Sequence, residues 1–216
     1  MEPVRVRWHG HSCFEVSTDD TTVVTDPHDG KSLGIQPPKV RADVVLVSHD
    51  HFDHAATKVV AKPEARIITT TDHVKVGNLK VRGVQTFHDV SQGQSRGGNI
   101  AFKFILEEVR FCHLGDLGHI LDAGQAKAIG DVDVLFVPVG GVFTIDAEAA
   151  WEVVRMLEPG VVVPMHYRVG GLSLSINDIS SFLSMADPDC IVKVGNVVEF
   201  SKEELDDETL VWIFTL

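Results

Sequence analysis

Short runs of alternating hydrophobic and polar positions, separated by turn residues, occupy the first third of the chain. They carry β-branched and aromatic side chains and lie at residues 4–8, 11–16 and 21–25. Alternation with a period of two predicts strands, and three strands joined by short turns predict an antiparallel meander. Residues 26–40 are rich in Gly and Pro, which predicts a loop, and the continuous apolar run at residues 43–47 predicts a buried strand.

The pattern changes after residue 50. A helix is predicted at residues 53–61, because Asp53 can cap exposed backbone amides and apolar positions recur after it, and Pro63 ends this helix. Strands are predicted at residues 66–70, 79–86, 99–106, 109–112, 134–137, 161–165, 191–194 and 210–214. Helices are predicted at residues 122–129, 146–157 and 176–185. A meander followed by alternating strands and helices predicts mixed sheets covered by helices, an α/β or α+β layered architecture. At 216 residues the expected organisation is a single domain spanning residues 1–216.

Composition narrows the class of protein. No apolar run approaches the roughly 20 residues that cross a bilayer, and the first residues lack a signal-peptide pattern. The three cysteines, Cys13, Cys112 and Cys190, form no C-x-x-C pair, so neither a disulfide framework nor a thiolate zinc site is predicted. We therefore expect a cytoplasmic protein with no membrane partner.

The charge balance bears on partners. Against 19 Lys and Arg stand 31 Asp and Glu, and the formal charge of −12 would repel a phosphate polymer. Nucleic acid is thus an unexpected partner. A small anionic substrate remains an alternative, because bound divalent metals would cancel part of the negative charge at the place where a substrate binds.

Four side chains of the metal-binding type fall within six residues, directly after the strand predicted at residues 43–47. They are His49, His51, Asp53 and His54. At an extended strand end His49 and His51 project to the same side, so both imidazoles can meet one cation. Imidazole with carboxylate suits Zn, Fe, Ni or Mn, and the absence of thiolates argues against a structural zinc finger.

The H-x-H-x-D-H pattern at the end of a strand resembles the signature of the metallo-β-lactamase superfamily. Further segments that match in family order are Thr25-Asp26-Pro27, His88, Gly115-Asp116 and Val163-Pro164-Met165-His166. Three more segments make the chain similar to the ascorbate-6-phosphate-lactonase-like branch of metal-dependent hydrolases: His9-Gly10-His11-Ser12-Cys13-Phe14, Arg96-Gly97-Gly98-Asn99 and Gly140-Gly141.

The resemblance implies an αββα sandwich of two mixed sheets with a dinuclear site at one edge. By this resemblance one metal is held by His49, His51 and His88, the other by Asp53, His54 and His166, and Asp116 bridges them. Two divalent ions, zinc first and Mn, Fe or Ni as alternatives, would together activate a water that attacks a small ester, lactone or phosphoester. Asp53 and Asp116 are thus expected to serve catalysis as well as metal binding.

Other residues carry weaker expectations. Asp26 is expected to support a ligand imidazole or nearby backbone by a hydrogen bond. His119, three residues after Asp116, is a candidate general acid, with a structural role as the alternative. Arg96, Tyr167 and Arg168 are candidates for binding a phosphate or carboxylate, or else solvated loop residues. Spacing assigns no role to five further histidines, which are His9, His11, His28, His73 and His113. The first hairpin could nevertheless bring His11 to the site.

Competing functions remain open at this stage. A phosphodiesterase or nuclease is one, and a metal-binding protein without turnover is another. A redox enzyme of the same superfamily is less expected, because its pattern has a carboxylate at the position of His51 and an added flavin domain. A homo-oligomer is expected only on base rates.

Overall fold

Two β-sheets form the centre of the fold in the computed structural model, which describes residues 2–205 and 208–216. The strands, in chain order, are β1 (Val4–Trp8), β2 (Phe14–Ser17), β3 (Thr22–Thr25), β4 (Ala42–Leu46), β5 (Ala61–Ile68), β6 (His73–Val76), β7 (Leu79–Phe87), β8 (Gly98–Leu106), β9 (Val109–His113), β10 (Val134–Pro138), β11 (Val161–Met165), β12 (Ile191–Gly195), β13 (Val197–Phe200) and β14 (Leu210–Phe214).

Both sheets are mixed. The six-stranded sheet has the order β13-β1-β2-β3-β4-β5, antiparallel from β13 to β3 and parallel from β3 to β5. The eight-stranded sheet has the order β12-β14-β11-β10-β9-β8-β7-β6, with β6 to β9 antiparallel and the remaining strands parallel. The antiparallel meander predicted for the first third of the chain is confirmed.

The hydrophobic core lies between the two sheets. The ring of Phe14 on β2 packs 4.5 Å, centroid to centroid, from that of Phe136 on β10, and Phe111 on β9 reaches Phe200 on β13. All four rings are buried, and burying one such side chain contributes roughly 1.5–3 kcal/mol. These contacts hold the sheets face to face.

Few helices cover the sheets: α1 (Thr57–Val60), α2 (Ala123–Ile129), α3 (Ala147–Leu157) and α4 (Ser180–Leu183). Asp122 caps α2 by accepting a hydrogen bond from the Gln125 amide, and Asp146 caps α3 through the Ala149 amide. The α+β layered sandwich predicted from sequence is confirmed. Among the described residues, no helix has both the length and the apolar character that a membrane crossing requires.

The helix predicted at residues 53–61 is wrong except for the single turn of α1. Asp53 does not cap it, because its carboxylate faces His11 instead. Pro63 lies within β5, which is tolerated because β5 is an edge strand and its register with β4 shifts there.

Three smaller differences concern short elements. The helix predicted at residues 176–185 shrinks to α4, and the strands β6 and β13 were not predicted. Both missed strands have only four residues and carry partly exposed side chains on alternate positions, so neither has a continuous apolar run.

Candidate metal centre

The ends of four strands bring the predicted ligands together. The histidine motif follows β4, His88 follows β7, Asp116 follows β9 and His166 follows β11. The first of these strands belongs to the six-stranded sheet and the other three to the eight-stranded sheet. The cluster therefore lies at one edge of the sandwich, where both sheets contribute side chains.

Among the described residues, three groups of donor atoms lie close enough to hold a cation: Asp26 with His49 and His54 is one, and it overlaps two others that share no residue. Of these two, one consists of His49, His51 and His88, and the other of His11, Asp53, His54 and His166. In each group the donor atoms lie within 4.8 Å of one another. The resemblance implied the same division, without His11.

Asp116 lies between the two groups. Its Oδ2 is 3.2 Å from His88 Nε2, 3.3 Å from both His54 Nε2 and His166 Nε2, and 3.8 Å from His49 Nε2. The side chain is only 3% exposed. A carboxylate in contact with histidines of both groups occupies the place that a bridging ligand requires.

Several buried polar atoms at this centre lack a hydrogen-bond partner in the described part of the chain. They are His11 Nδ1, His49 Nε2, His54 Nε2, His88 Nδ1, His166 Nδ1 and Asp116 Oδ1. An unsatisfied buried polar atom costs roughly 1–3 kcal/mol. Cations bound beside Asp116 would satisfy His49 Nε2, His54 Nε2 and Asp116 Oδ1, so these donors fit metal ions.

Asp26 orients two of the histidines, as predicted. Its Oδ2 accepts a hydrogen bond of 3.0 Å from His54 Nδ1 and one of 2.6 Å from the Ser48 hydroxyl. Ser48 Oγ in turn lies 2.9 Å from His49 Nδ1, which donates to it. With Nδ1 engaged in both rings, the Nε2 atoms of His49 and His54 are left to face Asp116.

The electrostatics favour neutral imidazoles with free lone pairs. Burial, together with nearby histidines, lowers the pKa of His11 and that of His49 to about 3. His54 differs: burial would lower its pKa, but Asp116 and Asp26 outweigh burial and hold the pKa well above the ordinary value. Burial would raise the Asp116 pKa, yet His166 and His54 hold it well below the ordinary value. The centre is thus built for cationic charge.

Spacing assigned His11 to neither metal, although the first hairpin could bring it to the site, because its approach depends on tertiary structure. Its carbonyl accepts hydrogen bonds from Trp8 Nε1 and the His166 amide, and its ring lies 4.2 Å from that of His166, centroid to centroid. Its Nε2 is 3.2 Å from Asp53 Oδ2. The sequence signals were its place in the first hairpin and Gly10 beside it, which marks a tight turn.

The backbone at the centre is unusual. His11, Asp26 and His166 adopt positive φ angles of 54°, 39° and 53°, which non-glycine residues rarely do and which cluster at functional sites. Gly140 permits the close approach of the chain at His166, because a Cβ there would lie 2.0 Å from the His166 carbonyl oxygen.

A cleft of about 230 Å³ opens over the centre. It is lined by His51, Phe52, Asp53, His88, Arg96, Asp116, Phe143, His166 and Leu174. Of the three candidates for anion binding, only Arg96 is among them. Tyr167 stacks on Trp8 and is buried, whereas Arg168 is exposed and lies 3.5 Å from Asp178.

The remaining histidines lie outside the centre. His119 accepts a hydrogen bond from the Phe87 amide through Nε2 and donates one to the Ile120 carbonyl through Nδ1, so its general-acid role stays a prediction that these bonds do not favour. The others are held by backbone or carboxylate groups or are exposed: His9 by Glu15, His28 by the His9 carbonyl, His113 by the Ser12 carbonyl, and His73 on the surface.

Comparison with known proteins agrees with the geometry. A family model described as the beta-lactamase superfamily domain matches residues 5–166, a segment that includes every candidate ligand. The chain belongs to the metallo-β-lactamase superfamily. Within this superfamily it is 31% identical over 193 residues to a UPF0173 metal-dependent hydrolase from Hyperthermus butylicus, covering 75% of this chain and 82% of the relative.

Two further members are similar. A UPF0173 metal-dependent hydrolase from Thermoplasma acidophilum is 28% identical over 191 residues, covering 77% of this chain and 84% of the relative. A crystal structure from Thermotoga maritima, assigned to the Zn-dependent hydrolases of the metallo-β-lactamase superfamily, is 34% identical. It superposes with a TM-score of 0.80 over 99% of this chain and 100% of its own.

Proposed function

We propose that this metallo-β-lactamase superfamily member is a dinuclear metal-dependent hydrolase of a small ester, lactone or phosphoester. The observation that carries the proposal is the position of Asp116 between two groups of donor atoms, with unsatisfied buried nitrogens in both. The relatives in Hyperthermus butylicus and Thermoplasma acidophilum are named as metal-dependent hydrolases, which supports the same reaction class.

One cation would be held by His49, His51 and His88, and the second by Asp53, His54 and His166, with His11 beside it. Histidine-rich donors without thiolates suit zinc, and the Thermotoga maritima relative is assigned to Zn-dependent hydrolases, so zinc is the ion we propose. Two bound cations supply Lewis acidity and lower the pKa of water toward neutrality.

The protein's own residues set the conditions for that chemistry. Asp26 and Ser48 fix the ring orientations of His49 and His54, and burial keeps His49 neutral near pH 7. His51 is the exposed member of the cluster, so the centre opens to solvent on its side and into the cleft. A substrate reaches the cluster there.

The size of the cleft favours a small substrate. About 230 Å³ lies below the roughly 300–1,000 Å³ of pockets that take drug-sized ligands. Together with the net charge of −12, this argues against a nucleic-acid substrate. The names of these relatives carry no lactonase activity, so the lactonase-like assignment stays a prediction.

Elemental analysis after zinc loading tests the proposal, alongside His51→Ala and the control variant His73→Ala on the exposed strand β6. We expect two metals per chain in the wild type and the control, fewer in His51→Ala, and a parallel loss of hydrolysis of ester, lactone and phosphodiester substrates. A wild-type protein that retains no metal after loading would overturn the proposal.

A further inference from the structure

The cleft over the metal centre combines apolar walls with a single basic side chain. Outside the metal-facing residues its lining consists of Phe52, Phe143, Leu174 and Arg96. Phe52 is 64% exposed, so its ring is accessible to a ligand. The lining therefore offers contacts to an apolar group and to one anion.

Arg96 is held in place without being neutralised. Its guanidinium lies over the ring of Phe143, 4.8 Å from the centroid, a cation–π contact that fixes the side chain at the mouth of the cleft. In the described part of the chain it makes no ion pair with a carboxylate. All of its side-chain donors remain available to a ligand.

The loop that carries Arg96 is anchored next to a metal-facing residue. Asp89, which follows His88 directly, accepts hydrogen bonds through Oδ1 from the amides of Ser91 and Gly93. Through Oδ2 it accepts them from the amides of Ser95 and Arg96, and the His88 amide donates to the Gly97 carbonyl. The position of Arg96 is thus tied to that of His88.

We propose that Arg96 is a specificity-determining residue that binds a carboxylate or phosphate group of the substrate, while Phe52 and Leu174 contact an adjoining apolar part. This inference rests on the proposed hydrolase function and narrows its substrate class to small organic anions. A guanidinium suits such groups because its planar donors bind two oxygens at once. In a chain of net charge −12, a basic group at the mouth also attracts an anion locally.

Binding of two probes to the zinc-loaded protein provides the first test: phenylphosphonate and benzoate, titrated by calorimetry. Arg96→Ala should raise the Kd of at least one probe about 10- to 100-fold, the effect of losing charge-assisted hydrogen bonds, and Arg96→Lys should restore part of it. Arg168→Ala is the matched control, since it removes an exposed arginine outside the cleft. The probe with the larger change distinguishes a phosphate from a carboxylate site.

Turnover provides the second test and separates this inference from the proposed function. Arg96→Ala should lower the ratio of kcat/KM for mono-4-nitrophenyl succinate to kcat/KM for neutral 4-nitrophenyl acetate, mainly through a higher KM for the succinate ester. Absence of turnover in the zinc-loaded wild type would count against hydrolysis while the titrations still decide the role of Arg96. Equal Kd values in wild type and Arg96→Ala, or no binding of either probe to wild type, would overturn the inference.

Discussion

Asp26 illustrates how one side chain controls the chemistry of several others. It carries a positive φ, is completely buried and accepts hydrogen bonds from His54, from the Ser48 hydroxyl and from the Ser48 amide. It contributes no atom to the two main donor groups. Its effect on metal binding is indirect, through the orientation of two imidazoles.

Replacing Asp26 with Asn should weaken metal binding about 10- to 100-fold, the usual effect of losing a carboxylate that orients ligand histidines. Asn tolerates a positive φ, so the backbone should be preserved. Chelator competition measures the affinity. Asp29→Asn is the control in the same loop, because Asp29 is exposed and, among the described residues, its side chain hydrogen-bonds only to Ser32. Equal affinities in the two variants would contradict the role given to Asp26.

At this scale spacing placed the four residues of the histidine motif together, the resemblance to the superfamily implied His88, Asp116 and His166, and neither assigned His11 to a metal. The motif at His49 to His54 is compact, so local spacing indicates that His49 and His51 can share a cation. His11 lies between β1 and β2, in a different part of the chain from the histidine motif. Its position depends on hydrogen bonds to Trp8 and to His166, which is far away in sequence. Spacing carries no information about such contacts.

The ends of strands do most of the positioning at the level of elements. Apolar runs in the sequence predicted β4, β9, β10 and β11. Candidate ligands follow β4, β9 and β11. The helix at residues 53–61 was mispredicted because a carboxylate suited to capping is used in the centre and the chain returns at once to a strand. Tertiary contacts overrode local propensity there.

Gly140→Ala should disturb the end of β11 and the metal centre together. Its new Cβ would lie 2.0 Å from the His166 carbonyl oxygen, a conflict that only backbone movement relieves. We expect a loss of about 1–3 kcal/mol in the free energy of unfolding and a reduced metal content. Thermal unfolding and elemental analysis measure these quantities.

Gly170→Ala is the matched control for that substitution, since a Cβ there meets nothing within 4 Å. It should be neutral or stabilise by about 0.4–1 kcal/mol through the unfolded state. If both variants retained full stability and metal content, the close approach at Gly140 would have no role.

A second prediction at this level concerns Asp133, which directly precedes β10. Its side chain links β9 to the segment that follows β13. Its carboxylate pairs with Arg110 and Lys202. Burial would raise its pKa, but these cations outweigh burial and hold the pKa below the ordinary value. The stabilisation is therefore present above the unfolded pKa of about 3.9 and is lost as pH falls through the lower folded value.

Asp133→Asn should accordingly cost about 2 kcal/mol of unfolding free energy near pH 7, the order expected for hydrogen bonds to charged groups, and progressively less below pH 4. Denaturant unfolding at both pH values measures the difference. Asp131→Asn, which removes an 84% exposed partner of Arg110, should have little effect at either pH. A cost for Asp133→Asn that does not change with pH would contradict the assignment.

At the scale of the whole molecule the two sheets meet over a shared aromatic core and again at the metal centre. The aromatic core should pack without a metal, because Phe14, Phe136 and their neighbours are buried by contacts with one another. The candidate metal centre, by contrast, holds buried nitrogens that have no hydrogen-bond partner among the described residues. Folding and metal binding should thus be coupled without being inseparable.

Removing the metal should lower Tm rather than unfold the chain. A cation at 100 times its Kd stabilises by roughly 2.7 kcal/mol, which corresponds to about 5–10 °C for a chain of this size. Calorimetry with and without a chelator measures the shift. If the Tm were the same with and without the chelator, and metal were confirmed in the chelator-free sample, coupling between folding and metal binding would be excluded.

The spread of the donor residues along the chain has a further consequence. They begin at His11 in the first hairpin and end at His166 after β11, so ions bound among them would tie together chain segments that are remote in sequence. Such ions would act as reversible cross-links, closing long loops much as disulfides do and restricting the unfolded chain most where the loops are longest. For a protein whose cysteines are unpaired, chelation would then be the counterpart of reduction.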